Sequence, residues 1–265
     1  MKKIKLVVFD IDGTLVPRGT TSIPNSAIRA INTLKTTGYE IMVATGRPFY
    51  FILDTVKEII DPDYYVTVNG TCLLDWQGNF IEVYTLDIKT IQTLIALAKE
   101  YNFSLGLKYK DCLRIYNQYE RFVSGYAGDN HPEFIPLLVE DFSEHYQKDL
   151  PLGAFFFADD VGLEAIRAAL PNIPIAPAVK GAYDIYPEGI DKTKTIEHVL
   201  TKLNITWNEV MSFGDALNDV EMLQKAAIGV AMGNAPDDVK QHADYITSAD
   251  VDDGIFNALK HFELI

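Results

Sequence analysis

An α/β fold is predicted here: a Rossmann-like parallel-sheet core interrupted by an inserted α+β module. Three features of the sequence carry that expectation. Up to about residue 83, short apolar runs alternate with segments of helical period. The same alternation returns near Gly189. Between them the rhythm breaks into short strand-like runs and an irregular stretch. Strand–helix–strand alternation implies parallel strands joined by crossover helices, and such sheets gather functional groups at the carboxyl ends of their strands. The expected division is a core of residues 1–83 and 185–265 with an insert of 84–184.

Ile4 to Phe9 reads as a buried strand. The run is too short for a signal peptide, and Asp10 and Asp12 end it. Pro24 opens a helix in which Ala27, Ile28, Ile31 and Leu34 share a face and Gly38 supplies the stop. Tyr39–Ala44 is the second strand. A further helix is expected after Pro48, ending before Asp61, followed by a strand from Tyr64 to Val68 and a hairpin turning at residues 75–79. In the insert, a helix over 87–101 precedes strands at 103–108 and 112–116, a strand at 152–158, a helix at 161–170 and two more strands up to Tyr186. The core resumes with helix 191–204, strand 210–213, helix 216–226, strand 228–232 and a last helix over 252–262.

The chain has 265 residues, 48% apolar and 23% charged, with a formal net charge of −14. That balance argues against nucleic acid or an anionic membrane as the partner, while leaving room for a small anion at a locally positive site. No apolar run approaches the ~20 residues of a membrane span. Cys72 and Cys112 have neither metal-ligand spacing nor redox pairing, so idle thiols in a reducing cytoplasm are expected.

Four segments could carry chemistry. In Asp10-Ile11-Asp12-Gly13-Thr14, two carboxylates crowd one strand end. Like charges that close require a shared cation or a proton, which suits a nucleophile beside a proton donor; an acidic turn closing a strand is the plainer alternative. Thr45-Gly46-Arg47 offers a hydroxyl and backbone N–H groups to an anion, or a capped helix start. Lys192 stands near another helix start and taken alone reads as a surface charge. Gly214-Asp215 with Asn218-Asp219 places a hard oxygen donor suited to magnesium after a strand, or an acidic helix cap. No phosphate-binding Gly-x-x-x-x-Gly-Lys-Ser/Thr run occurs, which speaks against a nucleotide-loop kinase.

In this order the four segments resemble the motifs of the haloacid dehalogenase superfamily, in its Cof-type branch of sugar-phosphatase-like hydrolases with a large α+β cap (type IIB). Val230-Ala231-Met232-Gly233-Asn234-Ala235, Ala243-Asp244-Tyr245 and Asp253-Gly254 resemble the same branch. The sequence departs from it at Thr193, where glycine is common and where a helix cap is expected, and at Thr71, where alanine is usual. The resemblance implies a cytoplasmic, magnesium-dependent phosphatase of small phosphorylated metabolites such as sugar phosphates. It implies Asp10 as nucleophile and Asp12 as acid and base. Magnesium would be held by Asp10, the Asp12 carbonyl and Asp215. Thr45, Gly46 and Lys192 would bind the phosphoryl group, Arg47, Asn69 and Asn218 would contact substrate, and Asp219 would orient Lys192. A monomer is expected, and among the insert's polar residues no specificity role is assigned. A phosphosugar mutase or phosphotransferase, and a non-catalytic sensor of a phosphorylated ligand, are the competing readings.

Overall fold

The computed structural model describes residues 3–128, 132–179 and 181–265. Numbered along the chain, the first part holds β1 (Leu6–Phe9), α1 (Asn25–Thr36), β2 (Glu40–Ala44), β3 (Tyr64–Thr67), β4 (Cys72–Asp75) and β5 (Phe80–Val83). The middle holds α2 (Ile88–Glu100), β6 (Ser104–Lys108), β7 (Leu113–Asn117), α3 (Tyr119–Tyr126), β8 (Leu138–Glu140), β9 (Gly153–Phe157), α4 (Asp160–Ala169), β10 (Ile175–Val179) and β11 (Ala182–Ile185). The last part holds α5 (Lys192–Leu203), β12 (Val210–Gly214), α6 (Val220–Lys225), β13 (Ile228–Ala231), α7 (Asp237–Lys240), β14 (Tyr245–Ile246) and α8 (Gly254–His261).

The first compact unit comprises Met1–Arg47, Ile52–Glu82 and Asp191–Ile265. Its sheet runs β14-β13-β12-β1-β2-β3-β4-β5. Pairing is parallel from β14 to β3 and turns antiparallel at β4. β1 is therefore central, bonded to β12 on one side and β2 on the other. Its four residues are all fully buried, as a strand covered on both faces demands. Leu6 and Val8 pack with Met42, Ala44 and Val66 beneath Ile196, Val199 and Leu200 of α5 and Met222 of α6. Phe9 stacks on Phe213 with centroids 5.0 Å apart, locking the β1–β12 register next to the site.

The second unit comprises Pro48–Phe51 and Val83–Ile190. Its mainly antiparallel sheet runs β10-β11-β9-β6-β7-β8. Ile91, Leu94 and Ala98 of α2, with Leu163 and Ile166 of α4, cover Leu105, Leu107, Ala154 and Phe156 on one face. Ile185 packs within this second core. Pro48–Phe51 joins the second unit because Phe51 packs on Tyr126 and Phe134, with centroids 5.3 and 4.6 Å away. Lys108, 1% exposed, is paired with Asp184.

The helix expected after Pro48 is replaced by a 3₁₀ turn at Phe49–Phe51 and a π-helical turn at Thr55–Ile60. Thr55, Val56, Ile59 and Ile60 are β-branched and favour a regular helix weakly. The turn ends at left-handed Asp61, and Lys35 Nζ reaches the carbonyls of Ile60 and Asp61 at 3.2 and 2.6 Å. The expected helix over 216–226 is likewise split into a 3₁₀ turn at Leu217–Asp219 and α6. Helix α3 and strands β8 and β14 arise where no element was expected. Both cysteines are buried and free. Among the described residues, no helix is long and apolar enough to cross a membrane.

Candidate active site

Asp10 follows β1 and its N–H donates to Phe213 O at 3.1 Å, so the sheet pairing continues one residue past the strand. Its side chain is buried. Lys192, the first residue of α5 and also buried, donates to Asp10 Oδ1 at 2.7 Å and to Asp219 Oδ1 at 2.6 Å. The second Asp219 oxygen accepts the backbone N–H groups of Asp215 and Ala216 at 3.1 and 3.0 Å. Asp219 thus holds both the lysine and the loop that carries Asp215. The lysine read alone as a surface charge is instead a buried bridge between motifs 182 and 27 residues away in sequence.

The electrostatics follow from this crowding. Burial, then the charge of Asp219, pushes the Asp10 carboxyl well above its ordinary range, with Lys192 opposing. Burial and Asp219 push Asp215 up to about 6. Burial disfavours charge on Lys192, but Asp10 and Asp219 outweigh it and hold the ammonium protonated. Asp12 behaves differently. Burial would raise it, yet Arg47 Nε and Nη2 grip its two oxygens at 2.8 and 2.7 Å and leave it below the ordinary carboxylate range. This is the bidentate geometry that makes arginine–carboxylate pairs strong.

Thr45 is 1% exposed, and its Oγ1 accepts Arg47 N–H at 3.1 Å. Its carbonyl accepts Asn69 N–H at 3.0 Å, and Arg47 O accepts Val68 N–H at 3.1 Å. The chain from Val68 to Gly70 takes three successive positive φ angles, 50, 54 and 102°. Only the last has no steric cost. A Cβ at Gly70 would stand 2.0 Å from Asp191 O, so the glycine lets β3's exit loop lie against the start of α5. Thr195 Oγ1 donates to Gly70 O across the same contact. Asn69 is further fixed by Asn218 Nδ2, 2.8 Å from its side-chain oxygen. The sequence-predicted residues Asp10, Asp12, Thr45, Gly46, Arg47, Asn69, Lys192, Asp215, Asn218 and Asp219 all fall within the first unit, on β-strand exits or the helix starts beside them.

Thr193 does not cap α5. Asp191 does, its side chain accepting Lys194 N–H at 2.8 Å, while Thr193 Oγ1 donates to Asp191 Oδ1 and accepts from Lys225 Nζ. Two residues went unassigned in the sequence. Asn234 donates to Gly13 O and accepts Asp250 N–H, tying the first motif's loop to the chain's end. Its place in a family-like run was the signal available. Arg18 donates to Asp215 Oδ2 at 2.8 Å and had no signal beyond being a cation in the loop after the first motif.

Side-chain oxygens of Asp10, Asp215 and Asp219 lie within 4.8 Å of one another. Hard, buried carboxylate oxygens in this number suit a magnesium-like cation completed by water. Asp219 is already committed to three donors.

The sequence profile of the haloacid dehalogenase-like hydrolases matches residues 7–259. The chain is 28% identical over 263 residues to the 5-amino-6-(5-phospho-D-ribitylamino)uracil phosphatase of Bacillus subtilis, covering 98% of this chain and 96% of that one. It is 26% identical over 250 residues to the HMP-PP phosphatase of Yersinia pseudotuberculosis, covering 89% and 86%. A solved subclass IIB sugar phosphatase of the haloacid dehalogenase superfamily superposes with a TM-score of 0.87 at 28% identity, covering 98% of this chain and all of that one. The chain belongs to the haloacid dehalogenase-like hydrolases, in their Cof-type branch, and is an enzyme of the phosphomonoesterase kind.

Proposed function

We propose that the protein is a magnesium-dependent phosphatase that takes phosphate from small metabolites, sugar phosphates above all, through an aspartyl-phosphate on Asp10. The observation that carries the reading is the buried Lys192 bridge between Asp10 and Asp219, with Asp215 beside it. Phosphoryl transfer depends on in-line placement and neutralised oxygens. Lys192 opposes the upward shift of the Asp10 carboxyl and positions it, and offers the incoming phosphoryl oxygens a cation that Asp219 holds in place. Among the described residues Thr45 Oγ1 accepts the Arg47 N–H and donates to no protein group, so its proton can serve a phosphoryl oxygen, with Gly46 next to it in the same loop. Bound at Asp10, Asp215 and the Asp12 carbonyl, magnesium would neutralise phosphate charge that the carboxylates otherwise repel.

Asp12 serves as the acid for the leaving oxygen and then as base for water. Arg47 holds it ionised, so the acid role requires Arg47 to exchange Asp12 for an anionic substrate, where it becomes a substrate contact with Asn69 and Asn218. Substrate class is supported by the matched sugar phosphatase and by a relative whose substrate carries phosphate on a ribityl chain. A catalytic role for the first unit and a substrate-selecting role for the second belong to the same proposal.

The direct test is phosphate release from a panel of sugar, polyol and nucleotide phosphates, with magnesium and with chelator. Release that needs magnesium and favours sugar or polyol phosphates is expected. Release unaffected by chelator sinks the metal role, and transfer to an added sugar in place of water makes the enzyme a phosphotransferase.

A pH dependence follows from Asp215. A metal ligand must be deprotonated, and this carboxyl is held at about 6 by burial and Asp219. A raised carboxyl favours the folded state below its unfolded value, ~3.9, and that contribution is lost as pH rises through about 6. Chelator-treated protein therefore loses stability across that window, and magnesium restores it above pH 6 but not below. Thermal melts at pH 5 and pH 8 with and without magnesium check this; equal protection at both pH values would falsify it.

A further inference from the structure

Arg18 lies outside the four motifs, in the loop between the first motif and α1. Thr20 N–H and Oγ1 both donate to Pro17 O, at 3.0 and 2.8 Å, closing a turn whose third residue, Gly19, has φ of +78°. The turn delivers the half-exposed Arg18 side chain to Asp215, Nη2 donating to Oδ2 at 2.8 Å. Gly13 makes room for that contact. At φ of +88°, a Cβ on it would stand 2.4 Å from Asp215 Oδ2 and 3.0 Å from Arg18 Nε. The other Asp215 oxygen accepts Thr14 Oγ1 at 3.3 Å. Both oxygens of this carboxylate thus have donors, and one donor carries a full positive charge.

We propose that Arg18 is a built-in competitor of the divalent cation at Asp215 and sets the affinity with which that cation is held. The proposal rests on the reading of Asp215 as a cation ligand. A guanidinium hydrogen bond and a divalent ion draw on the same carboxylate charge and repel each other across it. Four carboxylates, Asp10, Asp12, Asp215 and Asp219, face three cations, Lys192, Arg47 and Arg18. Lys192 and Arg47 are largely buried, with side chains 1% and 16% exposed. Arg18 is 53% exposed and can leave toward water without stranding a buried charge. It is the member of the set that a divalent ion can displace at least cost. The first unit therefore carries its own replaceable charge for Asp215, so its fold tolerates low cation and its loading responds to cation concentration.

A unit charge and a divalent ion sharing one carboxylate repel, even at solvent-like dielectric, by roughly tenfold in affinity. Calorimetric titration of magnesium chloride into chelator-treated wild type, R18Q, R18A, R18K and D215N measures it, with circular dichroism confirming each fold. R18Q and R18A should bind magnesium about tenfold tighter than wild type, R18K close to wild type, and D215N not measurably. In thermal melts without magnesium, R18Q should melt below wild type, and saturating magnesium should close that gap. Neutral variants that bind magnesium as wild type does, or more weakly, overturn the competitor role while the cation site stands. No binding by wild type or by either neutral variant overturns the cation site and this inference with it.

Discussion

Lys192→Ala is expected to abolish phosphate release and to cost roughly 3–5 kcal/mol of folding stability, the range for stranding one partner of a buried ion pair. The lysine is 2% exposed and is the cation bonded to both Asp10 and Asp219. Without it two carboxylates remain close together in a dry site, with Asp10 disfavoured as an anion by burial and by the charge of Asp219. Burial lowers the lysine's own pKa, but Asp10 and Asp219 raise it by more. A cation raised in this way stabilises the fold in full below its unfolded value, ~10.4, and the contribution fades only as pH climbs through the folded one. All of it is therefore present at neutral pH. The variant should recover stability on acidification, as Asp10 takes up a proton, and the double variant K192A/D219N should regain part of the loss at pH 7. Urea titrations at pH 5 and 7.5 read both effects. A K192A protein as stable as wild type at neutral pH would mean that the bridge carries no net energy.

Asp10→Asn gives the opposite pairing of effects: activity falls by at least roughly 10⁴-fold, as for loss of a nucleophile, while the melting temperature stays level or rises. The carboxyl is raised by burial first and by Asp219 second. A raised acid favours the fold while protonated and loses that benefit as pH rises through its folded value. Wherever it is ionised, the group is a structural cost that Lys192 only partly offsets. The neutral amide removes that cost and leaves Lys192 bound to Asp219. Such a trade of stability for chemistry marks functional sites. Measurable turnover by folded D10N would end the aspartyl-phosphate reading; a sharply lower melting temperature would make Asp10 a structural residue.

The central strands and the long helices were legible because their apolar periods coincide with their burial. Leu6–Phe9 is buried at every position, and α1 buries Ala27, Ala30, Ile31 and Leu34. The π-helical turn at Thr55–Ile60 was not, since its apolar spacing matches an ordinary helix and what separates them is i→i−5 bonding such as that from Asp61 N–H to Val56 O. α7 and β14, four and two residues long, are too short to show a period. At the site, residue types and order named the carboxylates and the lysine. The bonding pattern was hidden: that Arg47 grips Asp12 and that Arg18 reaches Asp215 depend on contacts between segments far apart in sequence, while Asp191 and Thr193 are both residue types that cap helices, and composition does not say which of the two neighbours does so.

The central position of β1 also governs how the protein comes into being. Its partner on one side, β2, follows within a few dozen residues, but its partner on the other, β12, starts at Val210. Thr14 and Asp215, which meet at the site, are 201 residues apart. At the ~5–20 residues per second of ribosomal synthesis, β1 therefore waits roughly 10–40 s with one apolar edge unpaired. An open strand edge is a template for association with other chains. Residues 83–190, which are contiguous, can complete their own sheet during that interval, whereas the catalytic half cannot close until nearly the whole chain has emerged. Newborn chains are thus exposed to aggregation and to chaperone capture through Leu6–Phe9, and a chain that stalls before Val210 carries Asp10 and Asp12 without Lys192's partner Asp219 or the β12 edge that completes the site.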